Sequence, residues 1–165
     1  MASAASRLTF HGSPRRAAAC YLGLALLLAS CAGPHASATK GPAARYLAIA
    51  TPANKQLDDE VDSYRDHEHD NLAIAKADLR REVATERRFD EQLRQIAFPP
   101  GVAGIAQALV AANNRRIALT RRQSQAGTLA ELVAFDQRHK GADAAVEAQV
   151  RAIRKRLGLP PPDTS

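Results

Sequence analysis

Between residues 72 and 96 the apolar side chains recur at helical spacing. Leu72, Leu79, Val83, Phe89, Leu93 and Ile96 keep a near-heptad register along one stripe. The stretch Phe98-Pro99-Pro100-Gly101 then ends the pattern. Proline disfavours helix at the residue before it, and Pro100 is suited to open a following helix. A long helix with one apolar stripe must bury that stripe against other helices. No segment of the chain alternates apolar and polar residues over more than a few positions, so strands are not expected to supply the partner surface.

The flanking sequence supplies the partners. Thr51-Pro52 reads as an N-cap followed by proline at the first helical position. Asp58, Asp59, Glu60 and Asp62 follow, and Leu57, Val61 and Tyr64 fall on one face. This first helix is expected to fade near His69, with Tyr46–Ala50 as a preceding helical turn over the end of the bundle. Asp70 or Asn71 caps the second helix, which runs from Leu72 to about Ala97. A third spans about Gly101–Gln125, with Val102, Ile105, Leu109, Ala112 and Leu119 on one side. Thr128-Leu129-Ala130-Glu131 is a capping box that opens a fourth. Leu132, Phe135, Ala142, Val146, Val150, Ile153 and Leu157 form its stripe, and Gly158 stops it.

Four such helices with short connections predict an all-α fold, an antiparallel up-down-up-down four-helix bundle over residues 44–158. That body is long enough for one core. Residues 159–165 read as a disordered tail. In such a bundle the acidic start of the first helix and the basic end of the fourth, with Arg151, Arg154, Lys155 and Arg156, are neighbours able to pair. The many alanines on the apolar faces predict closely packed helices around a dry core.

The first thirty residues are of a different kind. Arg7, Arg15 and Arg16 precede an apolar run from Ala17 to Ala29. This is the layout of an export signal, and the run is too short for a spanning helix, which needs roughly 20 residues. Ser13-Pro14-Arg15-Arg16 carries the paired arginines of twin-arginine signals, although the bulky apolar pair usual after them is replaced by Ala17-Ala18-Ala19.

Leu28-Ala29-Ser30-Cys31 resembles the lipobox of bacterial lipoproteins. The resemblance implies a signal peptide over 1–30, cleavage between Ser30 and Cys31, and a diacylglyceryl group on the Cys31 thiol. Residues 31–43, rich in small residues, Gly and Pro, then read as a flexible tether. The tract from Tyr46 to about Leu157 resembles actinobacterial secreted or lipid-anchored helical proteins with no assigned activity. That resemblance implies an envelope setting and no site.

Processing at Cys31 changes the charge and cysteine inventory. The chain has 23 basic and 17 acidic residues, a formal charge of +6, and two cysteines. Loss of the leader removes Cys20 and three arginines and leaves +3. An intramolecular disulfide is then impossible. Mixed charge and few aromatic residues exclude a nucleic-acid partner. The expected partners are the membrane, through the lipid on Cys31, and another envelope protein or acidic wall polymer.

No catalytic constellation is present, and no enzyme activity or cofactor is expected. None of the serines after Cys31 lies in a G-x-S-x-G turn, and no phosphate-binding glycine loop occurs. Asp66-x-x-His69 and Asp136-x-x-His139 have the i, i+3 spacing used in di-metal bundles, with Glu82 and Glu86 as conceivable partners. The third helix offers no carboxylate to complete such a set, so no metal is assigned; His67, His69, Asp136 and His139 come nearest to being ligands. Arg115 and Arg122 share a face of the third helix and could grip an anion. The competing reading of the arginine pairs there is salt bridging to carboxylates of neighbouring helices such as Asp90 or Glu131. The alternative to a tethered binding or scaffolding module is a ferritin-like bundle for a small ligand or metal.

Overall fold

The computed structural model describes residues 41–162. The expected signal peptide, Ser30, Cys31 and most of the expected tether lie outside the described residues. Within them the protein is all-helical: α1 (Pro42–His67), α2 (Leu72–Arg94), α3 (Pro100–Gln123), the short α4 (Leu129–Val133) and α5 (Asp136–Arg156). The long helices form the antiparallel four-helix bundle, each packed on the next in the chain.

Local chemistry sets most of the ends. The Asn71 side chain accepts from the Ile74 N–H at 3.1 Å and caps α2. Pro100 opens α3. Thr128 Oγ1 accepts from the Glu131 N–H, and Glu131 reaches back to the Gly127 N–H at 2.8 Å. At the end of α5, Gly158 takes φ 68°. Its N–H meets Lys155 O, and the Leu159 N–H meets Arg154 O at 2.9 Å. That is a Schellman closure, which needs the left-handed backbone glycine permits.

Four expectations are corrected. The first helix begins at Pro42, ten residues before the expected start, and Pro52 lies inside it. Tyr46 and Ala50, 2% and 3% exposed, lock the early turns onto the core. That burial outweighs the backbone hydrogen bond Pro52 cannot make, and Pro52 faces solvent. The bundle therefore starts at residue 42 rather than 44. The acidic run consequently sits in the second half of α1, not at the end that neighbours the basic terminus of α5. There Lys55 pairs with Asp59, and Glu60 turns inward.

The fourth helix is broken at Ala134–Phe135. The Gln123 side chain donates to Leu132 O at 3.0 Å, and the Phe135 N–H meets the same carbonyl at 3.2 Å, so the chain tightens there before α5 resumes. Finally, part of the expected disordered tail is packed. Arg154, 2% exposed, donates through Nε to Pro160 O at 2.6 Å, and Leu159 lies against the core.

The buried apolar residues fall into two clusters. One joins Tyr46 and Ala50 of α1, Leu93 of α2, Val102 to Ala112 of α3 and Val146 to Ile153 of α5. The other, at the opposite end, joins Tyr64, Ala75, Leu79, Ala126 and Leu132. The two are separate clusters, so the core is not apolar throughout.

A proline inside an exposed stretch of helix costs about 3 kcal/mol relative to alanine. Pro52→Ala is expected to raise the midpoint of thermal unfolding; a fall would show that α1 does not run continuously through this position.

Candidate functional site

The space between the two apolar clusters is filled by charged and polar side chains. On α3 the core-facing positions run 102, 106, 109, 113, 116, 120, 123, alternating steps of four and three. The first three hold Val102, Ala106 and Leu109; the last four hold Asn113, Arg116, Thr120 and Gln123. The facing seam of α2 carries Glu82, Glu86 and Asp90, and that of α5 carries His139 and Asp143. α1 contributes Glu60, 6% exposed.

Arg116 is the centre of this layer. Its Nη2 donates to Glu82, its Nη1 to Glu86, and its Nε to Asp143 Oδ1 at 2.9 Å. One guanidinium thus ties α3 to α2 and to α5. Burial alone would lower its proton affinity, but the carboxylates of Glu82 and Asp143 outweigh that and raise it. Such a group neither gives nor takes a proton at any pH the fold survives.

Further pairs knit the layer to α1 and along α2. Thr85 donates to Glu60 Oε1 at 2.9 Å, and Gln56 donates to the same oxygen at 3.1 Å. Asn113 donates to Asp90 Oδ1 at 2.7 Å. Ser63 donates to Asp78 Oδ2 at 3.0 Å, and Arg81 pairs with the other oxygen of Asp78. At the lower edge Gln123 Nε2 lies 2.9 Å from Tyr64 Oη, 3.0 Å from Leu132 O and 3.3 Å from Asp136 Oδ1. That single amide joins α1, α4 and α5.

The layer holds more carboxylate than one guanidinium balances. Glu60 Oε2, Glu86 Oε2, Asp90 Oδ2 and His139 Nε2 are buried with no hydrogen-bond partner. The titration of these groups shifts accordingly. Burial raises Asp90 to about 6, against the lowering influence of Asn113 and Arg94. Burial also raises Glu60, with Glu82 adding to the shift against the hydrogen bonds from Thr85 and Gln56. His139 moves the other way: burial and the adjacent Arg116 hold it neutral, opposed by Asp143.

The residues singled out from the sequence are placed as follows. Arg115 and Arg122 are both exposed on α3, as an anion contact requires. His67 Nδ1 lies 2.7 Å from Ser63 O, and His69 is exposed beside Glu68. Asp136 faces Gln123, and burial together with Glu68 raises it, while His69 and Arg65 act in the opposite sense. His139 stands one turn further along α5, against Arg116. Among the described residues no group of three or more His, Cys, Asp or Glu side chains is placed to hold a metal. Glu82 and Glu86, the conceivable partners in a metal set, are taken by Arg116.

Sequence reasoning selected Arg115 of the Arg115-Arg116 pair and missed Arg116. The signal was present in the four-three spacing from Val102 through Leu109 to Arg116 and Gln123. Arginine and glutamine at those positions are easily assigned to solvent unless carboxylates on α2 and α5 are known to face them. The competing reading, arginines of the third helix bridging to neighbouring carboxylates, holds for Arg116, but its partners are Glu82, Glu86 and Asp143; Asp90 instead accepts from Asn113, and Glu131 from the Gly127 N–H.

No family model, curated protein or solved structure matches the chain.

Two outcomes test this arrangement. Arg116→Met leaves the buried Glu82 and Glu86 and the half-buried Asp143 without their cation, which costs about 3–5 kcal/mol. Urea unfolding is expected to show that loss, with part of it recovered when Glu82→Gln and Glu86→Gln are added. Asp90 holds its proton more tightly in the folded chain than in the unfolded one. Its stabilising contribution is therefore present below the ordinary aspartate range and is lost as pH rises through about 6. Asp90→Asn is expected to stabilise the protein at pH 8 and to leave it unchanged at pH 4.

Proposed function

We propose that the protein is a cell-envelope lipoprotein. Its helical bundle is a non-enzymatic binding or scaffolding module held at the outer face of the membrane by a lipid on Cys31. The observation that carries this reading is Leu28-Ala29-Ser30-Cys31 in register behind a basic leader and a short apolar run. The bundle begins at Pro42, so the segment from Cys31 to Gly41 remains to act as a tether. No helix of the described residues is long and apolar enough to cross a membrane.

The arrangement of the core favours a surface module over a ferritin-like bundle. The ligand that a bundle of that kind would centre on has its place taken by Arg116, and three of the surrounding carboxylates are engaged by it. Recognition then falls to the exterior, where Arg115 and Arg122 offer charge to an envelope protein or an acidic wall polymer. The actinobacterial setting rests on sequence resemblance and belongs to the same proposal.

The native protein is expected to have an intact mass that starts at Cys31 and includes a diacylglyceryl group. Cys31→Ser is expected to release the protein from membranes or to block its processing. A variant that is processed normally and stays membrane-bound would refute the lipoprotein reading.

A further inference from the structure

The two ends of the bundle differ in chemistry. The end at which the chain enters α1 also holds the end of α2, the start of α3 and the end of α5, as their shared apolar cluster requires. The α2–α3 connection at this end, residues 95–99, carries no charge, and neither does α3 until Arg115. Within it Ala97 and Pro99 are exposed and Ile96 and Phe98 are half-exposed. Beside it an open apolar cleft is lined by Leu93, Ile96, Phe98, Ala106 and Val110, with Arg94 at its rim.

Exposed basic residues surround that connection. Arg94 ends α2, Lys155 and Arg156 end α5, and Arg45 stands in the first turn of α1. Among the described residues, Glu91 is the one exposed carboxylate in these terminal turns. The opposite end is mixed: Asp62, Asp66, Asp70 and Glu131 stand there with Arg121, Arg138 and Lys140, all exposed. Basic residues at helix C-termini also complement the helix dipole. That role leaves the head groups of Arg94, Lys155 and Arg156 exposed and does not account for an apolar connection between them.

We infer that the end formed by Arg94, Lys155, Arg156 and the Ile96–Phe98 connection is a docking face for an anionic lipid surface. The inference rests on the lipoprotein reading in one respect: the anchor decides which end meets the membrane. Gly41 lies ten positions on from Cys31, a stretch that spans at most about 35 Å. α1, with 26 residues, is about 39 Å long, so a lipid on Cys31 does not reach the bilayer with the bundle fully inverted, and the entry end is the one it holds within reach. Anionic headgroups attract basic side chains within about a Debye length, roughly 10 Å at 0.1 M salt. Ile96 and Phe98 then enter the interface between the charges, with Phe98 preceding the exposed Pro99-Pro100 turn.

The test uses the full chain as cells process it, placed in nanodiscs of phosphatidylcholine alone or mixed with phosphatidylglycerol. Amide exchange is the readout. Phosphatidylglycerol is expected to slow exchange several-fold at 42–47, 94–102 and 154–160, and high salt is expected to remove the effect. The triple variant Arg94→Gln, Lys155→Gln, Arg156→Gln should lose the slowing. The triple variant Arg121→Gln, Arg138→Gln, Lys140→Gln, at the other end, should keep it. Equal exchange in both discs, equal slowing at 66–72 and 121–140, or loss of the effect in the second variant overturns the inference. The mass of the same sample reads the anchor separately. If no lipid is attached, the free protein must bind phosphatidylglycerol vesicles and weaken about fivefold for each of the three basic residues removed. Binding that does not follow those residues, or no binding, overturns the docking face.

Discussion

Arg116 keeps its charge wherever it is placed, so its position in the middle of the bundle obliges neighbouring helices to bring carboxylates to it. Glu82 and Glu86, one turn apart on α2, and Asp143 on α5 meet that demand. Removing four charges from water costs several kcal/mol for each, and the return comes only when the donors and acceptors meet in one geometry. A helix that slid by one residue would keep most of its apolar burial, because alanine and valine pack tolerably in several registers. It would not keep the contacts of the guanidinium. The layer around Arg116 is therefore where the relative positions of α2, α3 and α5 are most sharply specified.

The remaining core is arranged by that layer. Apolar residues separate into two clusters because the charged stratum lies between them, and each cluster closes one end of the bundle. The upper cluster holds the entry of α1 and the exit of α5 together. This keeps the start of α1 beside the basic α5 terminus and the uncharged α2–α3 connection. The lower cluster depends on Gln123, whose amide reaches Tyr64, Leu132 and Asp136 and interrupts the fourth helix in doing so. The surplus of carboxylate in the stratum appears as buried oxygens without partners on Glu60, Glu86 and Asp90. The protein tolerates them by raising the proton affinity of Glu60 and Asp90.

Much of the fold was legible because it rests on local chemistry. The Asn71 cap, the Pro100 start, the Thr128 cap with Glu131 and the Gly158 stop are each decided within four residues of backbone, and each is where the residues place it. The start of α1 was not legible in the same way. Thr51-Pro52 is a sound local start signal, but the burial of Tyr46 and Ala50 against α2, α3 and α5 overrides it. The site was less legible still. Arg115 and Arg122 are exposed as their spacing suggests, while the arginine that organises the core is the neighbour, Arg116. Helical periodicity identifies a face but not what stands opposite it.

What the sequence determined by itself was the class of fold and most helix ends. These depend on neighbours in the chain. Only the tertiary structure decided that the middle of the core is ionic and that the acidic run of α1 sits away from the basic end of α5. It also decided that the two ends of the bundle differ in charge. Those outcomes depend on which side chains from distant segments meet in space. A charged residue on a helix is read as solvated until the packed bundle shows it enclosed.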